Sequence, residues 1–169
     1  GKGSAYEGGV REPMIVRWPG VVKPDTKCDK YLIIEDFYPT ILEMAQIKHY
    51  KTVQPIDGIS FMPLLTHTGD PSKGRSLHWN FPNHWGNDGP GIGPTCTVRK
   101  GDWKLIYYYD SGKKELFNIP EDIGEKNDLA ALHPDIVKSL SKELGDYLRK
   151  VGGQFKATGK PCPWPDEIK

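Results

Sequence analysis

The sequence predicts an α+β fold, in which a small antiparallel sheet is packed by a long C-terminal helix and an N-terminal strand belongs to a larger sheet. Three stretches support this prediction. Residues 95–118 alternate β-forming runs with turn signals, and residues 134–151 repeat apolar side chains at helical spacing. Residues 14–18 form a short apolar run closed by Pro19-Gly20, which is typical of a strand buried on both faces.

The antiparallel sheet is predicted from strand alternation and from turn residues. Residues 77–81 alternate in a way that places Trp79 in the core, and they lead into a loop rich in glycine and proline. From Pro94 onward the pattern becomes a meander of β-forming runs separated by turn residues. The strands of this meander cover residues 95–99, 103–109 and 114–118.

Two helices are predicted from their caps and their apolar faces. The first begins after Asp36, a suitable N-cap, and carries Pro39 in its first turn. The second has Pro134 near its start and ends at Gly152-Gly153. The core-facing side chains are Phe37, Ile41, Met44 and Ala45 in the first helix, and Ile136, Leu140, Leu144, Tyr147, Leu148 and Val151 in the second.

Length and charge exclude several classes of protein. The chain has 169 residues, enough for a domain with its own core, and a formal net charge of +1. Such a balance produces no strong field toward nucleic acid or membrane, and no apolar run reaches transmembrane length. The three cysteines, Cys28, Cys96 and Cys162, have no metal-binding spacing, and one disulfide or none is compatible with the sequence.

The glycine-rich N-terminal loop is the first candidate site. Its glycines allow close backbone approach to a ligand or positive φ angles. Lys2 supplies a compact positive charge suited to an anionic group, and the predicted strand beside the loop is where open α/β sheets place ligands. Glu7 and Arg11 are four residues apart, and we expect them to form a structural ion pair.

Two segments carry a resemblance to a known family. GKGSAYEGGVREPMIVRWPG resembles the GKGxxxEGGxRxPxxxxWPG segment of the type I, formylglycine-dependent sulfatases of the alkaline-phosphatase-like superfamily. RKGDWKLI and ELFNIPEDIGEKNDLA are similar to a second pattern of that family. The resemblance implies the C-terminal part of an α/β alkaline-phosphatase-like fold, and it implies that Lys2 acts in catalysis by contacting the sulfate being cleaved.

The loop after residue 81 is the second candidate site, for substrate. Asn83, His84 and Trp85 combine an amide, an imidazole and an aromatic face, which suit the hydroxyls and apolar faces of a sugar. Sulfatases of sulfated polysaccharides carry a similar WHxPxxW-like segment near the substrate pocket. The chain keeps both tryptophans and the proline of that segment but has Asn80 where many relatives have histidine, so no substrate role is assigned to Asn80.

Several parts of a sulfatase are missing from the sequence. No C/S-x-P-x-R motif supplies the formylglycine nucleophile, and no carboxylate cluster suits a hard cation. The resemblance implies that the full-length parent holds Ca²⁺ through ligands outside this chain, so no metal ligand is assigned here. We therefore expect a C-terminal fragment of a longer enzyme that is inactive alone.

The resemblance also implies an organisation and a setting. We expect residues 1–66 to end the catalytic core, residues 67–153 to form a C-terminal subdomain with sheet and helix, and residues 154–169 to form an irregular tail. The expected partners are a sulfated carbohydrate or aryl sulfate and the rest of the sulfatase chain, with no nucleic acid and no membrane. The parent is expected to be periplasmic or secreted.

Two other functions remain open from the residues alone. A lysine loop of this kind serves a phosphate or phosphonate ester hydrolase of the same superfamily as well as a sulfatase. The aromatic loop around Trp85 is also compatible with a stand-alone carbohydrate-binding or interaction module. Retention of the GKG segment argues against the module.

Overall fold

The structure is a computed structural model that describes residues 1–84, 89–153, 156–157 and 160–168. It divides into two compact units. The first, called the sheet unit, combines Gly1–Glu12 with Ser76–Lys169, and the second, called the helical unit, is Pro13–Arg75. The predicted boundaries at residues 66 and 153 concern subdomains of a longer enzyme and stay a prediction.

The sheet unit is built on a four-stranded antiparallel meander in the order β1-β2-β3-β4. Cross-strand pairs set its register, with Thr97 opposite Ile106 and Leu105 opposite Leu116. The predicted antiparallel sheet is therefore confirmed, with boundaries that differ by at most one residue. The strands are β1 Ser76–Phe81, β2 Thr95–Lys100, β3 Trp103–Tyr108 and β4 Lys114–Asn118.

A long helix, called α4 here, covers one face of this sheet. It spans Pro134–Lys150, with the proline in the first turn as predicted. Leu140, Leu144 and Leu148 are buried against strand residues that point to the same face. Trp164 also packs against this core, and the hydroxyl of Tyr107 donates to the Pro163 carbonyl at 2.9 Å. The tail also contains the short strand pair Lys156–Ala157 and Lys160–Pro161.

The opposite face of the sheet is covered by the N-terminal segment, which the sequence did not indicate. Ile106, Phe117 and Ile119 are buried there beside Ala5 and Tyr6. The rings of Tyr6 and Phe117 meet edge to face at 5.4 Å. Because β3 is covered on both faces, its central residues are all buried, which explains the run WKLIYYY without polar alternation.

The helical unit is organised around one buried carboxylate. A short 3₁₀ turn, Ile34–Asp36, leads into α2, Phe37–Met44, and a second short helix, α3, spans Met62–Leu65. The fully buried Asp36 side chain accepts hydrogen bonds from the backbone N–H groups of Ile33 (3.0 Å) and Ile59 (2.9 Å) and from the Arg75 guanidinium (2.7 Å). These bonds hold three separate parts of the unit together.

Two sequence predictions for the helical unit were wrong for this chain. The predicted core-facing stripe of α2 is not buried. Ile41 is 57% exposed, and the residue of α2 that is buried, Thr40, does not belong to the stripe. The predicted strand at residues 14–18 is also not formed. No described strand pairs with it, and Ile15 is 94% exposed, since a strand needs a hydrogen-bonded neighbour that these residues do not find here.

Cys28 is exposed, Cys96 is buried and Cys162 is half-buried, and all three are free thiols. Burial raises the pKa of the Cys96 thiol to about 12. Across the described residues, no helix has both the length and the apolar character needed to span a bilayer.

We expect Asp36→Asn to destabilise the protein by about 3 kcal/mol at neutral pH, because it leaves the Arg75 charge without its partner. Burial favours a higher pKa for the Asp36 carboxyl, but Arg75 and the backbone donors outweigh it and lower that pKa below its ordinary value of 3.8. A carboxyl group whose pKa is lowered by folding contributes stability at pH values above its unfolded-state pKa. That contribution is lost as the pH falls through its folded-state pKa. Urea denaturation should therefore show the gap to wild type shrinking below about pH 4.

The matched control is Asp57→Asn, since Asp57 is an exposed aspartate of the same unit. We expect that variant to stay within about 0.5 kcal/mol of wild type at every pH. A gap for Asp36→Asn that keeps its size down to about pH 2 would contradict the assignment of the stabilisation to the ionised carboxylate.

Candidate functional site

The predicted anion-contacting lysine lies on a tight turn at the start of the chain. The N–H of Ser4 donates to the Gly1 carbonyl at 3.1 Å, and Gly3 takes a φ of +87°, which suits glycine. We call residues 1–4 the Lys2 turn. Lys2 itself is exposed, and it forms no ion pair with any of the described residues. Its side chain is therefore open to solvent.

A single helical turn, α1, packs against the Lys2 turn. It spans Glu7–Val10, and Gly9 packs directly on the backbone of the Lys2 turn. A Cβ at Gly9 would lie 2.1 Å from the Ser4 carbonyl oxygen and 2.7 Å from the Gly1 carbonyl oxygen, so only glycine fits. The second glycine of the EGG motif thus serves a contact within the chain, since the atoms it approaches are backbone atoms of the same segment.

The start of α1 is attached to the sheet by a cluster of buried charges. Oε1 of Glu7 lies 3.0 Å from Nζ of Lys104, and Nζ of Lys104 lies 2.9 Å from Oε1 of Glu125. Nη1 of Arg99 donates to Oε2 of Glu7 at 3.3 Å, and the N–H of Glu7 donates to the Glu125 carboxylate. All four residues are buried, and Lys104 is fully so. We call Glu7, Arg99, Lys104 and Glu125 the charge cluster.

The charge cluster contains two positive and two negative side chains, so its charges compensate each other. Arg99 and Lys104 are directly opposite each other on β2 and β3, a position in which two like charges repel. The two carboxylates compensate for them. Burial raises the pKa of the Glu125 carboxyl above its ordinary value of 4.5, and the Lys104 ammonium opposes that rise. The expected pair of Glu7 and Arg11 is also confirmed, at 3.6 Å on the exposed rim of the cluster.

A second polar contact holds the same segment on the sheet. The hydroxyls of Tyr6 and Tyr108 both donate to Oε2 of Glu115, at 2.9 Å and 2.7 Å. Burial and the Glu115 carboxylate raise the pKa of the Tyr6 phenol, so this hydroxyl stays protonated and remains a donor. The N-terminal segment is thus attached at two neighbouring residues, Tyr6 and Glu7.

The C-terminal end of the predicted substrate loop lies beside the Lys2 turn. The hydroxyl of Ser4 donates to the Pro90 carbonyl at 2.9 Å, and the N–H of Ala5 donates to the Gly91 carbonyl at 2.7 Å. Gly91 has a φ of +69°, and a Cβ there would lie 2.5 Å from both Oγ of Ser4 and Cδ1 of Tyr6. Residues 90 and 91, at the C-terminal end of the loop, are therefore fixed against the Lys2 turn.

The predicted substrate residues lie at the other end of that loop. Asn83 and His84 are exposed, and Nε2 of His84 lies 3.2 Å from Oδ2 of Asp110 at the β3–β4 turn. Trp85 lies outside the described residues. Asn80 has a structural contact, because its side-chain oxygen accepts the hydroxyl hydrogen bond of Tyr109 at 2.8 Å.

This geometry agrees with a family match over most of the chain. Residues 1–151 match the family model described as N-sulphoglucosamine sulphohydrolase, C-terminal. The chain belongs to this sulfatase family. The matched range contains the Lys2 turn, the charge cluster and the loop of residues 82–94.

Sulfatases from distant organisms are similar to the chain. An uncharacterised sulfatase of Schizosaccharomyces pombe is 35% identical over 156 residues, which cover 89% of this chain and 27% of the relative. A sulfatase of Formosa agariphila is 32% identical over 186 residues, covering 99% of this chain and 33% of the relative. Human arylsulfatase A is 27% identical over a range that covers 94% of this chain and 29% of the relative. The chain thus spans between about a quarter and a third of the length of these curated relatives.

Solved sulfatase structures share the fold. One, determined in complex with its substrate D-glucosamine-2-N,6-O-disulfate, has a TM-score of 0.51 at 21% identity and covers 69% of this chain and 24% of its own. Another, a 2-O GAG sulfatase, has a TM-score of 0.54 at 20% identity, and the match covers 77% of this chain and 29% of the sulfatase. The expected fold, the C-terminal part of an alkaline-phosphatase-like sulfatase, is confirmed.

The metal that the sulfatase resemblance implies does not find ligands in the described residues. No group of three or more His, Cys, Asp or Glu side chains there is placed to hold a metal ion. A surface depression of about 650 Å³ in the helical unit is lined by residues such as Pro39, Glu43 and Tyr50, and by none of the predicted site residues.

Sequence reasoning missed the buried supports of this sulfatase region. Nothing in the sequence pattern around Glu115 and Glu125 indicates that both are buried partners of the N-terminal segment. Asp122, in the same stretch, caps a turn through hydrogen bonds of 2.8 Å from the N–H groups of Lys126 and Asn127. The available signal was Lys104, a lone charge within a run of β-forming apolar residues.

We expect Gly91→Ala to destabilise the protein by about 1–3 kcal/mol more than Gly74→Ala does, as measured by urea denaturation. Both glycines have a similar positive φ, +69° and +76°, so backbone strain is matched. Only at Gly91 would the added Cβ meet Ser4 and Tyr6, because nothing lies within 4 Å of a Cβ at Gly74. Equal losses for the two variants would show that the contact between loop and Lys2 turn carries no stability.

Proposed function

We propose that the chain is the C-terminal part of a sulfatase that hydrolyses sulfate esters of a sulfated carbohydrate, with Lys2 contacting the sulfate. The observation that carries the proposal is the exposed ammonium of Lys2 on a turn whose backbone is held by glycine contacts. The other cations nearby, Arg11, Arg99 and Lys104, are all paired with carboxylates. Among the described residues of this segment, Lys2 is the basic side chain for which no carboxylate partner is seen.

The chemical role of Lys2 follows from charge. Sulfate-ester cleavage places negative charge on the sulfuryl oxygens and on the leaving oxygen, and a fixed cation stabilises that charge most where water is excluded. An ammonium on a flexible stem is held more closely when its backbone is rigid. The Lys2 turn supplies this rigidity. The nucleophile, the formylglycine, and the ligands of a Ca²⁺ ion would come from outside this chain.

The substrate class is proposed from the loop of residues 82–94. Asn83 and His84 expose an amide and an imidazole close to the protein surface, and both groups hydrogen-bond hydroxyls. The similar structures include sulfatases whose names state sulfated-sugar substrates. We propose that these residues, with Trp85, contact the sugar around the sulfate, and that the enzyme acts in the periplasm or outside the cell.

In the full-length enzyme, Lys2→Ala should lower kcat/KM for a chromogenic aryl sulfate about 10²- to 10³-fold, since it removes a charge contact that strengthens in the transition state. Steady-state kinetics check this, with Lys27→Ala, an exposed lysine of the helical unit, as the matched control. A loss below about threefold would overturn the role of Lys2. Hydrolysis of phosphonate esters in preference to sulfates would overturn the proposed substrate class.

His84→Ala should raise KM for a sulfated oligosaccharide while leaving kcat nearly unchanged, because a sugar contact binds ground state and transition state alike. The same variant should leave the kinetics with a small aryl sulfate unaltered, since that substrate has no sugar to contact. His49→Ala, another exposed histidine, is the control. An equal effect on both substrates would exclude a sugar contact at His84.

A further inference from the structure

We infer that Lys104 is a positioning residue for Lys2: from the sheet, it sets the place of the sulfate-contacting ammonium. The inference rests on the proposed function, because it concerns the same site. Lys104 touches no part of the Lys2 side chain and, being fully buried, cannot contact substrate. It acts through an unbroken series of contacts within the sheet unit.

The first contact in this series is an ion pair that cannot be released to water. Lys104 is 0% exposed and Glu7 is 5% exposed, and their charged atoms lie 3.0 Å apart. Separating a buried pair leaves a charge without compensation, at a cost far above that of a surface pair. Glu7 is therefore held at one place above β3.

The second contact passes this constraint to the Lys2 turn. Glu7 is the first residue of α1, and two residues later Gly9 rests on the carbonyls of Ser4 and Gly1. These two carbonyls belong to the residues that bound the Lys2 turn on either side. A shift of α1 over the sheet therefore moves the turn, because no side chain lies between them to absorb it.

The alternative interpretation is that Lys104 only stabilises the fold. The position of the charge cluster distinguishes the two. The same sheet has a core of apolar residues on the face of α4, and its other face also buries Ile106 and Phe117. Burying four charges where apolar residues of similar size would suffice is a poor way to gain stability. A requirement that Glu7 be held at one fixed location accounts for the burial of these four charges.

A double-mutant cycle in the full-length enzyme tests the inference. Lys104→Met should lower kcat/KM for a chromogenic aryl sulfate about 10- to 100-fold, since a shift of about 1 Å at a reacting group has this effect. In the Lys2→Ala background, the same substitution should change kcat/KM less than about twofold, because there is no ammonium left to misplace. A purely structural role predicts the same loss in both backgrounds.

A second readout does not depend on turnover. Calorimetric titration of the full-length enzyme with inorganic sulfate measures the dissociation constant of the anion. That dissociation constant should rise in Lys104→Met and in Lys2→Ala, and it should rise no further in the double variant. Lys100→Met, which removes a half-exposed lysine of the same sheet paired with Glu143 at 2.7 Å, should leave both readouts within about twofold of wild type.

Glu7→Gln provides the same test if Lys104→Met does not fold. It keeps the shape of the side chain and an acceptor oxygen, and it removes the charge that holds Lys104. Kinetics are measured below the unfolding transition of each variant. Additive losses in either cycle, or a folded variant with unchanged kcat/KM, would overturn the positioning role.

The failure of the proposed function would look different. In that case the full-length wild type would not hydrolyse sulfate esters, or Lys2→Ala alone would leave its kcat/KM unchanged. If Lys2→Ala is damaging and Lys104→Met is not, the sulfate contact stands and only the positioning role fails.

Discussion

The sheet unit depends on one buried contact, the ammonium of Lys104 between the carboxylates of Glu7 and Glu125. Removing three charges from water is costly, and that cost is offset only while all partners stay in place. The contact joins residues that are 97 positions apart in the chain. The first residues of the protein are consequently part of the C-terminal sheet, although the helical unit lies between them in the sequence.

The glycines are a consequence of this arrangement. Once Glu7 is held on the sheet, α1 and the Lys2 turn lie between the sheet and the loop residues Pro90 and Gly91. Gly9 and Gly91 are the points of closest approach, and a Cβ at either would overlap with neighbouring atoms. The second glycine of the EGG motif, Gly9, is thus explained by packing inside the protein.

Much of the fold could be predicted from the sequence, because strands, turns and helix caps are local signals. The boundaries of β4 and the start of α4 follow directly from such signals. Which segment covers a given face of a helix or sheet depends on long-range contacts. The sequence predictions of burial failed in two ways, for an apolar residue that is exposed and for polar residues that are buried. Ile41 belongs to the apolar stripe of α2 and is nevertheless exposed, whereas Ser4 and Glu7, in the polar N-terminal segment, are buried. Patterns show which residues can be buried but not which partner buries them.

The candidate site was predictable only in part for the same reason. Lys2 was found through its motif, and its exposure agrees with a contact to an outside anion. The residues that hold it were missed, since Glu125 and Glu115 look like ordinary loop and strand-end acids until the chain is folded. A lysine such as Lys104 inside an apolar strand is the informative exception. A charge there requires a buried counter-charge, and in this protein the search for that counter-charge leads directly to the loop that carries the candidate catalytic residue.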